Sequence, residues 1–380
     1  MDTQKIEAAG LNPAHVEKLV TRVQREVDEG LLPGVQLALA RHGEVVLEQS
    51  FGSASNNSLI CIFSATKGVT SAAAWLLFQE GKLSEDERVC DIIPEFATHD
   101  KEQVTVQHLF THTAGFPDAP FRPLQWQSKA ETLERFAQWR LSYEPGTQFI
   151  YHPTATMWVI AEIIERRSGQ AYTDFVRERV LEPLGLKNFF VGLPAEENAR
   201  CLPVEHSGEA LTPEDFRQMG MPVPPDTEVT EDALLKFNTP EVRGVGVPGG
   251  GGFANAGDVA LFYQAVLHGG LNGVELWNAQ TRADVRRIRS GELTDQMFKK
   301  AANRALGIIV SGDEGRSFRG FGKTNSPEAF GHNGAGGQLA WADPQSGLSL
   351  GYLTSGHDRN PIRQGRRGVA ISSLAASCVD

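Results

Sequence analysis

Apolar residues recur at helical spacing through Val16, Leu19, Val20, Val23 and Val27, which predicts an amphipathic helix near the start of the chain. Asn12 suits its cap, Pro13 its first position and Gly30 its end. Two β-like runs follow, Val35 to Ala40 and Val45 to Ser50, split by Arg41-His42-Gly43-Glu44, a hairpin signal. The middle of the chain changes to helical spacing over 154–168 and 172–182, with Gly185 after the second stretch. Residues 202–230 are rich in Pro and polar side chains and predict an irregular excursion. A glycine run, Gly249 to Gly252, precedes a further helical stretch, Asp258 to Leu267. Short β-capable runs then return at Leu306 to Ser311, Gln338 to Ala342 and Leu348 to Thr354, before a last helix over Pro361 to Ala376. Strands at both ends with helices between predict an α/β (α+β) fold: one antiparallel sheet contributed by the two chain ends, flanked by helices, with a mostly helical domain inserted. The boundaries expected are 1–70 with 295–380 for the discontinuous α/β domain, and 71–294 for the helical one.

With 380 residues, the chain suits two domains or one large one. Its 41% hydrophobic residues, 22% charged residues, 20 Phe and 6 Trp exclude a disordered chain. A formal net charge of −11 makes phosphate backbones and anionic lipid poor partners. No run of 18 apolar residues is present to span a bilayer. The segment from Met1 to Glu7 lacks the basic flank and apolar stretch of a secretory signal. Cys61, Cys90, Cys201 and Cys378 are widely spaced with no C-x-x-C pattern. They fit neither a zinc site nor a disulfide framework, so reduced thiols in a cytoplasmic protein are expected.

The stretch from Phe63 to Phe78 is apolar nearly all round, which predicts a buried helix ending at Gly81. Ser64 opens it and Lys67 follows one turn later on the same face. A serine hydroxyl is a weak nucleophile and needs a base. A lysine becomes that base only when burial and the positive end of a helix depress its pKa. Free N–H groups at the same helix end suit an oxyanion. The bland reading stands beside this one: serine at a helix start is usually a cap, lysine in the first turn is usually solvated, and an S-x-x-K match arises about once by chance in a chain this long.

Two more segments bear on the choice. Tyr151 follows the turn Glu144-Pro145-Gly146 and precedes the helix carrying Met157, Trp158 and Ile160. A tyrosine there relays a proton if cations lower its pKa; otherwise it is an ordinary loop tyrosine. Gly331-His332-Asn333-Gly334-Ala335-Gly336-Gly337 leads into an apolar strand, where glycines let backbone approach a ligand closely.

Ser-x-x-Lys, then a tyrosine, then a glycine-flanked strand near the C-terminus is the order of the penicillin-recognising serine enzymes. The chain resembles the branch containing class C β-lactamases, D-alanyl-D-alanine peptidases and β-lactamase-like (family VIII) carboxylesterases. Leu109-Phe110-Thr111-His112-Thr113-Ala114-Gly115-Phe116 is similar to the family's H-T-S-G-L signature. Glu144-Pro145-Gly146 to Tyr151, Ile163-Ile164-Glu165 to Gly169, Leu181-Glu182-Pro183-Leu184-Gly185-Leu186, and Gly250-Gly251-Gly252-Phe253 also follow family order. The resemblance covers most of residues 10–355. It implies a β-lactamase/transpeptidase-like fold with the active site in the cleft between the two domains. It assigns Ser64 as nucleophile, Lys67 as general base, and Tyr151 as the group sharing proton transfer. It puts His332-Asn333-Gly334 in place of Lys-Thr-Gly, with the N–H groups of Ser64 and Ala335 as oxyanion hole.

The chain departs from that pattern twice. Pro153 stands where the family's tyrosine motif usually carries asparagine, and His332 replaces a lysine. Proline has no amide to hold the base, and a histidine near neutral pH is mostly uncharged. Both changes weaken recognition of β-lactams and peptide C-termini and leave acyl transfer intact. A carboxylesterase of short-chain acyl esters is the reading these departures favour. A β-lactamase, D-amino-acid peptidase or acyltransferase of the same fold is the alternative, and a non-catalytic ligand-binding homologue a remoter one. The expected partner is a small-molecule ester, with no cofactor and no metal, in a monomer or small homo-oligomer. His152 is a candidate contact of Lys67 or of substrate. Gly244 to Gly249 matches G-x-G-x-x-G, but Pro248 interrupts it and no acidic residue follows about twenty positions on, so a dinucleotide site is rejected. His108 and His112, four apart, read as structural rather than as a metal pair, and Arg366-Arg367 as a solvated helix face.

Overall fold

The computed structural model describes residues 1–223 and 229–379. Its principal elements are α1 (Pro13–Asp28), β1 (Gly34–Arg41), β2 (Glu44–Gly52), α2 (Thr66–Gln79), α3 (Ala155–Ser168), α4 (Ala256–His268), β3 (Ile309–Val310), β4 (Phe330–Gly331), β5 (Leu339–Asp343), β6 (Leu348–Thr354) and α5 (Pro361–Ala376). The six strands form one antiparallel sheet in the order β3-β4-β5-β6-β1-β2, so the two chain ends meet where β6 pairs with β1. Asn12 caps α1 by accepting from the N–H groups of Ala14 and His15. The β1–β2 hairpin turns through His42 and Gly43, at φ 57° and 79°, the left-handed pair that matches the twist of a two-residue hairpin.

Alternation along the strands sets the layers. Val35, Leu37 and Leu39 of β1, with Trp341, Leu350 and Tyr352, share a core with Val16, Leu19 and Val23 of α1 and Ile371 of α5. Ala38, Ala40, Ala340 and Ala342 face the other way, into the large core that includes α2, α3 and α4. Those side chains are small because α4 lies close upon the sheet. A Cβ added at Gly351 would sit 2.2 Å from the Ala256 carbonyl oxygen.

Several expectations shift in detail. The run Leu306 to Ser311 yields only Ile309–Val310 as strand. At Gly307, φ is +77° and a Cβ would fall 1.8 Å from Ser71 Oγ, so the chain turns tightly over α2 instead of running straight. The 172–182 stretch is α-helical over Tyr172–Val176 and widens to a π-helical turn over Arg177–Leu181. The 202–230 excursion holds a strand, Glu205–Ser207, paired in parallel with Gly356–Asp358, and a short helix, Pro213–Gln218; its residues 224–228 lie outside the described ones. Arg366 is exposed as expected, but Arg367 is buried. It donates to Glu26 at 2.5 Å and to Asp358 at 2.8 Å, since its helix face turns onto α1 and not to water. No helix among the described residues is long and apolar enough to cross a membrane.

Candidate active site

The site begins where a strand is forced into a helix. Ile60–Cys61 pairs with Gly252–Ala254, and the chain then bends at Phe63, whose φ of +43° is a strained value for a side chain with a Cβ. A single 3₁₀ turn, Phe63–Ala65, carries Ser64 before α2 starts at Thr66. Ser64 therefore sits just ahead of the α-helix and not within it. Every residue of α2 from Thr66 to Leu77 is buried, Lys67 included.

Lys67 reaches back from the first turn of α2. Its Nζ donates to the carbonyls of Gly249, at 2.7 Å, and Pro153, at 2.8 Å, and lies 3.2 Å from Ser64 Oγ. Tyr151 Oη is 2.9 Å from the same Oγ. The structure thus brings Ser64, Lys67 and Tyr151 into one hydrogen-bonded cluster across 87 residues of chain. Two further residues that hold Lys67 carried no signal of chemistry in the sequence. Gly249 closes the glycine-rich stretch rejected as a dinucleotide site, and Pro153 lacks an amide; both hold the lysine through backbone oxygen, which any residue type supplies.

The β4–β5 connection forms the facing wall. His332 N–H donates to Ala340 O at 3.0 Å and Gly334 N–H to Gln338 O at 3.0 Å. The Gln338 side chain donates to Cys61 O at 2.8 Å, tying the strand to the segment that delivers Ser64. Gly334 is necessary there, because a Cβ would come within 2.3 Å of the Ile62 carbonyl oxygen. Ala335 follows, and no hydrogen bond within the protein engages its N–H or that of Ser64 among the described residues. Two cavities meet at Ser64 and Ala335. One, of about 510 Å³, has apolar walls that include Phe121, Trp158 and Phe237. The other, of about 460 Å³, is lined by Tyr151, Arg304, His332, Asn333 and Phe318.

A family model described as Beta-lactamase matches residues 19–374. The chain belongs to the beta-lactamase family. Among its relatives is a putative D-alanyl-D-alanine carboxypeptidase of Escherichia coli K12, 27% identical, aligned over 92% of this chain and 84% of that protein. Among solved structures, a family VIII carboxylesterase is 28% identical with a TM-score of 0.77, covering 97% of this chain and 98% of its own. A penicillin-binding-protein homologue from Caulobacter crescentus is 26% identical with a TM-score of 0.78, covering 97% and 99%. The chain has the fold of this hydrolase family throughout.

In this beta-lactamase-family chain the electrostatics of the cluster follow from burial. Desolvation lowers the Lys67 pKa, opposed by the neighbouring Tyr151. Burial alone would raise Tyr151; Lys67, the Ser64 hydroxyl and Arg304 together outweigh it and bring the phenol below its ordinary value. His332 is held well below the usual histidine range by burial, with Arg304 and Lys67 adding to it. Its Nδ1 lies 2.8 Å from the Asn333 carbonyl, which places the proton on Nδ1 and leaves Nε2 a bare, buried acceptor.

His152 reaches neither Lys67 nor the cavities. Its Nε2 accepts from the Phe116 N–H at 3.1 Å and its Nδ1 lies 2.7 Å from the Ile150 carbonyl, so both nitrogens serve backbone groups. His108 and His112 likewise each accept a backbone N–H, from Thr105 and His152, and no metal-ligating cluster occurs among the described residues. His112 packs its ring 4.6 Å from that of Tyr151. Arg304, on the tight turn before β3, was not singled out in the sequence, since one arginine among many carries no motif. Its guanidinium lies over the rings of Phe149 and Tyr151, at 5.1 and 5.5 Å from their centroids.

Proposed function

We propose that the protein is a serine hydrolase working through an acyl-enzyme on Ser64, and that its substrates are carboxylic esters with short acyl chains. The observation that carries this reading is the convergence of Lys67 Nζ and Tyr151 Oη on Ser64 Oγ. A neutral lysine amine has two N–H groups and one lone pair. The Gly249 and Pro153 carbonyls take the two N–H groups, which leaves the lone pair for the serine proton. Ser64 Oγ then attacks the ester carbonyl, its proton passing to Lys67 directly or through Tyr151. The unengaged N–H groups of Ser64 and Ala335 would hold the oxyanion. Tyr151, hydrogen-bonded to the same oxygen, returns the proton to the departing alcohol and then helps activate the water that releases the acid.

Ester substrates are favoured over lactams and peptides because the β4–β5 connection offers a neutral His332 and the tyrosine motif offers Pro153 instead of an amide. The family VIII carboxylesterase neighbour supports the same choice. The relatives named as putative carboxypeptidases favour the second reading, hydrolysis of an amide by the same acyl-enzyme route. All four cysteines are free thiols, which supports placing this activity in the cytoplasm.

The test is Ser64→Ala assayed on p-nitrophenyl butyrate, with nitrocefin and an N-acyl dipeptide beside it. Ester turnover should fall by about a thousandfold or more, as loss of a nucleophile does. Retained turnover refutes the nucleophile, and a wild-type preference for nitrocefin or the dipeptide overturns the ester reading. A fluorophosphonate should add one covalent mass to the wild type and none to Ser64→Ala; no adduct on either favours a non-catalytic binder.

A further inference from the structure

Among the described residues no carboxylate lies within ion-pair distance of Arg304, a cation on the wall of the Ser64 cavity; Tyr151 and Asp295 favour its charge only from farther off. Arg304 lines the cavity with Ser64, Tyr151, His332 and Ala335, and its buried Nε and Nη1 have no hydrogen-bond partner among the described residues. The backbone leaves it little choice of position. The Arg304 carbonyl accepts from the N–H groups of Arg289 and Ser290, and its own N–H donates to Ser290 Oγ. Asp295, the carboxylate on the same cavity wall, is not within ion-pair reach; its Oδ1 accepts instead from the N–H groups of Met297 and Phe298. Other cations near the cavity are differently placed. Arg319 is spent on Asp313 and on the carbonyls of Ser311 and Ala301, Lys300 is exposed, and Lys67 is spent on two carbonyls beside Ser64. Leaving buried guanidinium donors unpaired is costly; an ester carbonyl supplies an acceptor but no charge. A carboxylate supplies both the missing charge and the missing acceptors.

We propose that Arg304 reads a carboxylate on the substrate, so that the preferred ester is an acidic one, carrying an anionic group in its acyl or its alcohol half. This rests on the serine-hydrolase reading and narrows its substrate class.

The experiment compares pairs of esters matched in size. In the acyl arm, the p-nitrophenyl half-ester of glutaric acid is set against its methyl-capped form. In the alcohol arm, 4-carboxyphenyl butyrate is set against its methyl ester. The wild type should favour the acid of one arm by about tenfold or more in kcat/KM, the range expected for one charge-assisted pairing. Arg304→Met should bring that ratio close to one, and Arg304→Lys should keep part of it. Ratios near one in both arms, or a preference untouched by Arg304→Met, overturn the proposal. Because Arg304 also touches Tyr151, the ratio is read and not the absolute rate. A binding measurement separates the two readings. In the Ser64→Ala background, monomethyl glutarate should raise the melting temperature, and Arg304→Met should abolish the rise. That rise without turnover of any ester by the wild type would uphold Arg304 and refute the hydrolase. Turnover with neither preference nor rise would do the reverse.

Discussion

In the proposed mechanism Lys67 draws its reactivity from its surroundings and not from its own side chain. Buried, and beside a tyrosine whose phenol is itself depressed, it gives an acid limb to kcat/KM: activity falls as the pH drops and the pair takes up protons. Tyr151 raises the lysine's pKa, so Tyr151→Phe should move that limb to lower pH while cutting kcat by about a hundredfold or more. A limb moving to higher pH would show that the tyrosine does not act on the lysine. His152 yields a stability prediction of opposite character. Burial pushes its pKa to about 3, against about 6.5 for a free imidazole, so the unfolded chain binds a proton that the native one refuses. Its contribution is full above pH 6.5 and is lost progressively below. The urea midpoint should therefore drop between pH 7 and pH 5, and His152→Gln should flatten that drop; a midpoint that rises on acidification would contradict the assignment. Ser64, Lys67 and Tyr151 were legible in the sequence as candidates because their order along the chain, and not any one of them alone, resembles a known pattern. Gly249 and Pro153 were not, because a carbonyl oxygen belongs to every residue and only the fold says which one faces an amine.

Elements matter here through how closely they approach. Helical spacing and β alternation in the sequence were enough for α1, the β1–β2 hairpin, α3 and α5. They could not foresee that 304–309 folds into a turn, because the cause is steric: Gly307 against Ser71 of a helix more than two hundred residues earlier. The same closeness governs the wall facing Ser64. Gly334→Ala would set a methyl 2.3 Å from Ile62 O and push the β4–β5 connection bearing Ala335 away from Ser64. Since an oxyanion donor works only near its hydrogen-bonding distance, kcat should fall about tenfold to a thousandfold with KM changed far less. Gly351→Ala, a matching insertion between β6 and α4, should instead cost about 1–3 kcal/mol of stability in urea titrations. Equal kcat losses in the two variants would mean that general loosening, and not the oxyanion wall, is being measured.

At the scale of the whole molecule, the sheet depends on keeping both chain ends together. β1 and β6 are 309 positions apart where Ala40 meets Ser349. Arg367 is a buried ionic link between the two ends of the chain: it joins Glu26 of α1 to Asp358, which Arg363 also holds at 2.7 Å. Sequence patterning placed Arg367 in solvent because two adjacent arginines on an amphipathic helix usually face water; one helical position decides which of them turns inward. Replacing it with methionine keeps the length but strands Glu26 and Asp358 with part of their pairing lost. Breaking such a buried ionic network by removing one partner costs about 3–5 kcal/mol. Arg367→Met should therefore lower stability by about that amount in urea denaturation. Adding Glu26→Met should recover part of the loss, because it removes a buried carboxylate left with Arg22 as its remaining arginine partner. If Arg367→Met costs under about 1 kcal/mol, apolar packing between α1, α5 and the sheet holds the ends together without the ionic link. If Glu26→Met deepens the loss, Arg22, which also pairs with Glu26, carries more of the junction than Arg367 does.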